Sequence, residues 1–417
     1  MWRRRLVRMV LAAGTVGLLI LPALVYTQVT GRVLNPRLRV TYPDLQSAVD
    51  NAANGDTLLV SGRLTGTNAE LTFTSTSPSN ITIVAGRGLR GTLAPTACPA
   101  TGAVIDVSNR PGAVTIIGLA IQVPDTCVGV LANASTGTGG GNPLTVRGVL
   151  FTGATATATF VAIRTVDESN GPFIFRENVI KGQLNPGIEL DGDVATAIQA
   201  SIFRNVITNT GTGGSGNGVD ISDISAGSAV TVRRNRIDGG GTTAGIGTGI
   251  NLLAGPTDGV VIENNTIRNF AASSGIGFAM DEDDEAVTFQ KNVVNNNEIG
   301  IDVDFSGNNP TTFPTITLNN ITGDPNTQTG LRYTPNGGTP TNLDATGNWW
   351  GASNGPRAAD TGFCPEFTNP PTCNIAATAN GNGMPINRNG VGNDCDGVAG
   401  GVITCPFRTS PVPGAGA

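Results

Sequence analysis

The sequence predicts an all-β fold: a right-handed, single-stranded parallel β-helix of about ten coils, with a short N-terminal capping helix. Three observations carry this. A strand-like octapeptide recurs with a period of roughly 28 residues. Two apolar columns keep their character through every recurrence, and an asparagine column runs between them.

The repeated element reads VTIIGLAI (114–121), LTVRGVLF (144–151), FIFRENVI (173–180), ASIFRNVI (200–207), VTVRRNRI (230–237), VVIENNTI (260–267), VTFQKNVV (287–294), the shorter ITLNNI (316–321) and LDATGNWW (343–350). Alignment gives one column of Leu119, Val149, Asn178, Asn205, Asn235, Asn265, Asn292, Asn319 and Asn348, spaced 27 to 30 residues apart. Three residues earlier lie Ile116, Val146, Phe175, Ile202, Val232, Ile262, Phe289, Ile316 and Ala345; two residues later lie Ile121, Phe151, Ile180, Ile207, Ile237, Ile267, Val294, Ile321 and Trp350. Side chains alternate across a strand, so both flanking columns are expected inside. The period is too short for a strand–helix–strand unit, and no repeat contains a helical stretch. Coils that pair with the coil above and below stack about 4.8 Å apart, like residue on like. The asparagines then form a ladder of stacked amides at a bend, where asparagine tolerates a left-handed backbone.

A second strand follows each first one: GVLAN (129–133), GIELDG (187–192), GVDIS (218–222), GINLL (249–253), GIGFAM (275–280), GIDVDF (300–305) and GLRYT (330–334). The gap before it varies in length, which predicts insertions gathered on one corner. At the start, YPDLQSAVDNAANGDTLLVSG (42–62) fits a cap. Asp44 N-caps a helix through Ala53 with Leu45, Ala48 and Val49 on one face, and Asn54-Gly55-Asp56 turns the chain into a strand over Thr57–Val60. Three segments result: 1–30, a signal peptide or signal anchor; 40–356, the β-helix; and 357–417, a Cys/Gly/Pro-rich extension that is irregular and ends in a disordered tail.

Composition narrows the function. Histidine is absent from all 417 residues, which excludes Ser-His-Asp and Cys-His hydrolysis and histidine-ligated metals. A net charge of −6 argues against nucleic acid, which requires clustered cations. Arg3, Arg4 and Arg5 precede an apolar run from Met9 to Tyr26, the pattern of an export signal; a membrane contact is expected only through this segment if it stays uncleaved. The cysteines are even in number, and nearest-neighbour pairing gives Cys98–Cys127, Cys364–Cys373 and Cys395–Cys405. The first pair is 29 residues apart, about one coil.

The opening DLQSAVDNAANGDTLLV and the closing NWWGASNGP (348–356) resemble bacterial parallel β-helix repeat proteins of the pectate-lyase-like superfamily, over roughly residues 40–356. The resemblance implies the fold and leaves activity open, because members include lyases, hydrolases, epimerases and adhesins. Lyases of this superfamily carry calcium-binding carboxylates and a basic residue on one outer sheet. Read outward, the second strand gives Glu189, Asp220, Asn251, Gly277, Asp302 and Arg332, then Asp191, Ser222, Leu253, Ala279, Asp304 and Thr334. Glu189, Asp220, Asn251, Asp302 and Arg332, with Trp349 as a stacking platform, are the expected substrate contacts. Arg332, Glu189 and Asp220 are the candidate catalytic groups, with Glu189 and Asp220 at a spacing open to a glycosidase pair. Asp191, Asp302 and Asp304, and Asp281 and Asp283 in the run 281–285, are candidate Ca²⁺ ligands. The alternative for all of them is an ordinary solvated face with weak surface ion pairs. The expected role is an exported surface protein that binds extracellular or cell-surface polysaccharide. A calcium-dependent lyase or related carbohydrate enzyme is one alternative, and a structural cell-envelope protein is another.

Overall fold

A computed structural model describes residues 31–352 except 87–90, 135–140, 194, 210–215, 241–246, 254–258, 273, 282–285, 306–312, 325–326 and 335–342, then the backbone of 357–358, 385–388 and 402–403, and residues 408–416. The N-terminal signal segment, Asp283 and the cysteines at 364, 373, 395 and 405 therefore lie outside the described residues. No described helix is long and apolar enough to cross a membrane.

The chain winds through three parallel ladders in turn. One coil shows the plan: Ala229–Arg233 lies in the first sheet, Arg236–Asp238 in the second and Thr248–Leu252 in the third. The next coil repeats it with Val260–Glu263, Thr266–Arg268 and Ile276–Asp281. Register is kept residue by residue. Phe175 pairs with Ile202, Ile202 with Val232, Val232 with Ile262 and Ile262 with Phe289. In the second sheet Ile180 pairs with Ile207, then Ile237, then Ile267, then Val294. Both apolar columns are buried throughout, including Trp350 at the last coil. Each such Val, Ile or Phe contributes about 1.5–3 kcal/mol relative to exposure. Phe278 and Phe289 add a stacked pair with centroids 4.3 Å apart.

From Val114 to Thr322 the first corner, between first and second sheets, holds two residues, such as Arg204-Asn205 and Arg234-Asn235. The second residue is the asparagine column, and it is fully buried from Asn178 to Asn348. Each amide bridges coils. Asn235 donates to the Ile202 carbonyl at 2.8 Å and to Asn265 Oδ1 at 3.0 Å, while its own Oδ1 accepts the Asn205 N–H at 2.9 Å. The left-handed residue is not the asparagine, as the sequence suggested, but the one before it. Gly118, Gly148, Glu177, Arg204, Arg234, Asn264, Lys291, Leu318 and Gly347 have φ from 53° to 70°. The turn needs one residue to reverse the backbone and the next to satisfy the polar groups that reversal leaves inside. Asparagine takes the second task because its amide both donates and accepts.

The other two corners both vary in length, so insertions are not confined to one of them: Asn209 to Val219 is long between the second and third sheets, and Asn133 to Leu144 is long between third and first. The ladder corner buries its asparagine, and a turn tied into the interior in this way cannot absorb extra polar backbone.

The N-terminal end is closed more fully than the sequence indicated. Helix Leu45–Asp50 is shorter than expected, with Asp44 accepting the Ser47 N–H at 2.6 Å and Leu45, Ala48 and Val49 buried. Arg32–Asn35 adds antiparallel to Thr57–Ser61 and carries Val40–Tyr42 on its outer edge. This hairpin covers a parallel edge that would otherwise recruit other chains. Asp56 ties the cap together: it accepts from Asn35 Nδ2 at 2.7 Å and from the Ala53 N–H at 2.9 Å and pairs with Arg37, whose hydrogen bond holds the carboxyl well below the usual range. At the other end, residues 408–416 are packed rather than disordered: Val412 exchanges two hydrogen bonds with the Asn320 side chain, at 2.6 and 3.2 Å. Cys98 and Cys127 form the expected disulfide across neighbouring coils, with Cα atoms 5.5 Å apart.

Candidate functional site

The outer face of the third sheet presents one polar row. Its order is set by the ladder: Arg164 pairs with Glu189, Glu189 with Asp220, Asp220 with Asn251, Asn251 with Ala279, Ala279 with Asp302 and Asp302 with Arg332. The sequence alignment placed Gly277 where Ala279 stands, and Ala279 where Asp281 stands. Gly277 belongs instead to an inner glycine column with Gly187, Gly218, Gly249, Gly300 and Gly330. A Cβ built on Gly249 would sit 2.5 Å from the Gly277 carbonyl oxygen, and one on Gly277 would sit 2.5 Å from that of Gly300. Glycine at this position lets successive coils approach, and so sets the height of the polar row above it. GIGFAM carries two glycines, and only the packing shows which one belongs to the column.

Two ion pairs bracket the row. Arg164 Nε donates to Glu189 Oε2 at 2.6 Å. Arg332 grips Asp302 in a two-point pair, with Nε on Oδ1 at 2.7 Å and Nη2 on Oδ2. The hydrogen bond that Arg332 donates to Asp302 raises the guanidinium pKa above its usual value. Arg332 and Asp302 are thus tied together across neighbouring coils. Asp220 sits between the pairs and is almost buried, 6% exposed. It accepts from Asn217 Nδ2 at 2.9 Å. Burial first, and the Glu189 charge second, push its carboxyl up to about 7. The neighbouring row starts at Asp191, which Ser222 Oγ contacts at 3.2 Å; burial, then Asp223 and Asp167, push it up to about 6. Asp281 and Asp304 pair directly in register farther along.

The other expected contacts scatter. Trp349 bridges Asn320 at the far side of the coil and is half-buried, away from this row. Among the described residues no three Asp, Glu or Cys side chains converge to hold a metal ion; of the expected Ca²⁺ ligands, Asp281 and Asp304 stand side by side, and Asp191 and Asp302 join no cluster of three. Sequence reading also missed Arg164, because its strand, Thr159–Val166, has Ala162 where the others have glycine and so escaped the template. Asn217 escaped because it lies just before its strand.

A family model for the right-handed β-helix region matches residues 145–349. That match and the stacked parallel ladders give the chain the fold of a right-handed parallel β-helix. Comparison with curated proteins gives no match. Among solved structures, this β-helix protein is similar to the periplasmic alginate epimerase AlgG at 13% identity, over 73% of this chain and 76% of that chain, with a TM-score of 0.28. A likeness that distant says nothing about activity.

Proposed function

We propose that this protein is exported and binds extracellular or cell-surface polysaccharide along the outer row of the third sheet. The observation that carries the reading is the row itself: Arg164, Glu189, Asp220, Asn251, Asp302 and Arg332 offer hydrogen-bonding groups on successive coils, in one straight line broken only at Ala279. A stack with a rise of about 4.8 Å suits an extended polymer better than a compact ligand. The Cys98–Cys127 disulfide supports an oxidising compartment. The test is migration of the full chain through gels carrying neutral or acidic polysaccharides. Retardation by at least one polymer, lost in Asp220→Asn combined with Arg332→Gln, is expected; free migration through every gel overturns the reading.

One observation favours a second reading, a carbohydrate-active enzyme. Asp220, its carboxyl pushed up to about 7, is partly protonated at neutral pH and lies beside a carboxylate that is paired with Arg164. Two carboxyl groups in unlike environments are what general acid–base cleavage of a glycosidic bond requires. Release of reducing ends or ultraviolet-absorbing unsaturated sugars, abolished by Asp220→Asn, distinguishes this reading from binding alone.

A further inference from the structure

A pocket of about 550 Å³ opens on the first corner, away from the third-sheet row, and is lined by Arg204, Val206, Arg234, Arg236 and Asn264, with Gly414 and Gly416 closing one side. The segment 408–416 that supplies this wall is fixed in place. The Arg408 N–H reaches the Asn348 carbonyl at 3.0 Å, and the Gly416 N–H reaches that of Lys291 at 2.9 Å.

The three arginines are in excess of the carboxylates around them. Glu177 pairs with Arg147 at 2.8 Å, Glu263 with Arg233 at 3.5 Å, and Asp238 with Arg268 at 2.9 Å and more distantly with Arg236 at 3.8 Å. Among the described residues, neither Arg204 nor Arg234 has a carboxylate within ion-pair distance. The Phe203 ring packs against the Arg204 guanidinium at 4.9 Å. This local surplus stands out on a chain whose net charge is −6.

The backbone adds an independent observation. Arg204 and Arg234 occupy the left-handed corner position, with φ of 53° and 56°, which Glu177, Asn264, Lys291 and Leu318 also fill in other coils and Gly118, Gly148 and Gly347 in the rest. Glycine is the unstrained residue there, and a Cβ is disfavoured. Both arginines are exposed, so their side chains contribute little to the core. The corner thus projects both guanidinium groups outward on neighbouring coils.

We propose that this pocket binds the carboxylate or sulfate groups of an acidic polysaccharide. Guanidinium forks on adjacent coils, with backbones about 4.8 Å apart, can each hold one oxyanion in two-point fashion. The site is separate from the third-sheet row.

The test is fluorescence anisotropy of the full chain with labelled oligogalacturonate, a sulfated oligosaccharide, a neutral gluco-oligosaccharide and single-stranded DNA. At least one acidic glycan binds more tightly than the neutral one, and more weakly as salt rises. R204Q/R234Q loses roughly tenfold or more in affinity with an unchanged melting temperature. R204K/R234K, which keeps the charge but not the fork, falls between the two. R32Q/R63Q, which removes two positive charges near the N-terminal cap, leaves this binding within about twofold. The preferred acidic glycan tells carboxylate from sulfate. The proposal is overturned if acidic and neutral probes bind alike, if R204Q/R234Q keeps wild-type affinity, or if DNA binds as tightly as the acidic glycans.

Discussion

Replacing Asn235 with alanine probes the ladder where it is most fully bonded. Its side chain accepts from the Asn205 N–H at 2.9 Å and the Asn205 amide at 3.0 Å, and donates to the Ile202 carbonyl at 2.8 Å and Asn265 Oδ1 at 3.0 Å. The Asn205 amide keeps the Phe175 carbonyl, and Asn265 Oδ1 keeps the Asn235 N–H. Truncation therefore strips the ladder bond from the Asn205 N–H and from the Ile202 carbonyl, both in a fully buried corner. At about 1–3 kcal/mol for each buried group left unpaired, with a small void added, the expected loss is roughly 3–5 kcal/mol. Coils contact only their neighbours, so the damage divides the solenoid into two weakly coupled halves. Guanidinium denaturation followed by circular dichroism is expected to show a lower midpoint and a broader or two-step transition. Asn235→Asp tests the donor separately: a carboxylate cannot donate to Ile202 and faces the Asn265 oxygen, so this variant is less stable at pH 7 than at pH 4. An Asn235→Ala change below about 0.5 kcal/mol refutes the reasoning.

Three further outcomes follow from the structure. Asp220 titrates near 7 in the folded chain, above its ordinary 3.8, so from about pH 4 to 7 the native state holds a proton the unfolded chain releases, and stability falls as pH rises. Asp220→Asn removes that decline and gains at most roughly 4 kcal/mol near pH 8, at 1.36 kcal/mol per pH unit; denaturation at a series of pH values checks it, and an unchanged slope sinks it. Arg110 and Glu168 form a wholly buried two-point ion pair at 3.0 and 3.1 Å, so Glu168→Gln is expected to destabilise by roughly 3–5 kcal/mol while Glu263→Gln, whose arginine partner is exposed, changes stability by under about 1 kcal/mol in the same melts; equal effects contradict the burial argument. Gly249→Ala brings a Cβ to 2.3 Å from Ile267 Cγ2 and 2.5 Å from the Gly277 oxygen, so a loss of about 1–3 kcal/mol or more is expected, and a neutral result in thermal unfolding removes the close-approach argument.

The winding, the interior columns and the asparagine ladder were legible in the residue string, because a stacked coil repeats its chemistry at the period of the chain. Ile202, Val232 and Ile262 had to be apolar and Asn205, Asn235 and Asn265 had to be amides wherever the same corner recurred. The Cys98–Cys127 pair was legible for the same reason, as its separation of 29 residues is one coil. What did not repeat was hidden. The polar row on the third sheet has no periodic identity, and its register passes through a strand with two glycines, so only packing put Ala279 rather than Gly277 beside Asp302. Its electrostatics arise from partners far apart in the chain. Asp220 is pushed toward neutrality by burial against its neighbours, and Arg332 is held by a carboxylate 30 residues away. The arginine pocket needed a segment from the far end of the chain, folded back so that Gly416 reaches Lys291. Periodicity is a local property and can be read along one dimension; proximity between non-repeating groups exists only once the coils have stacked.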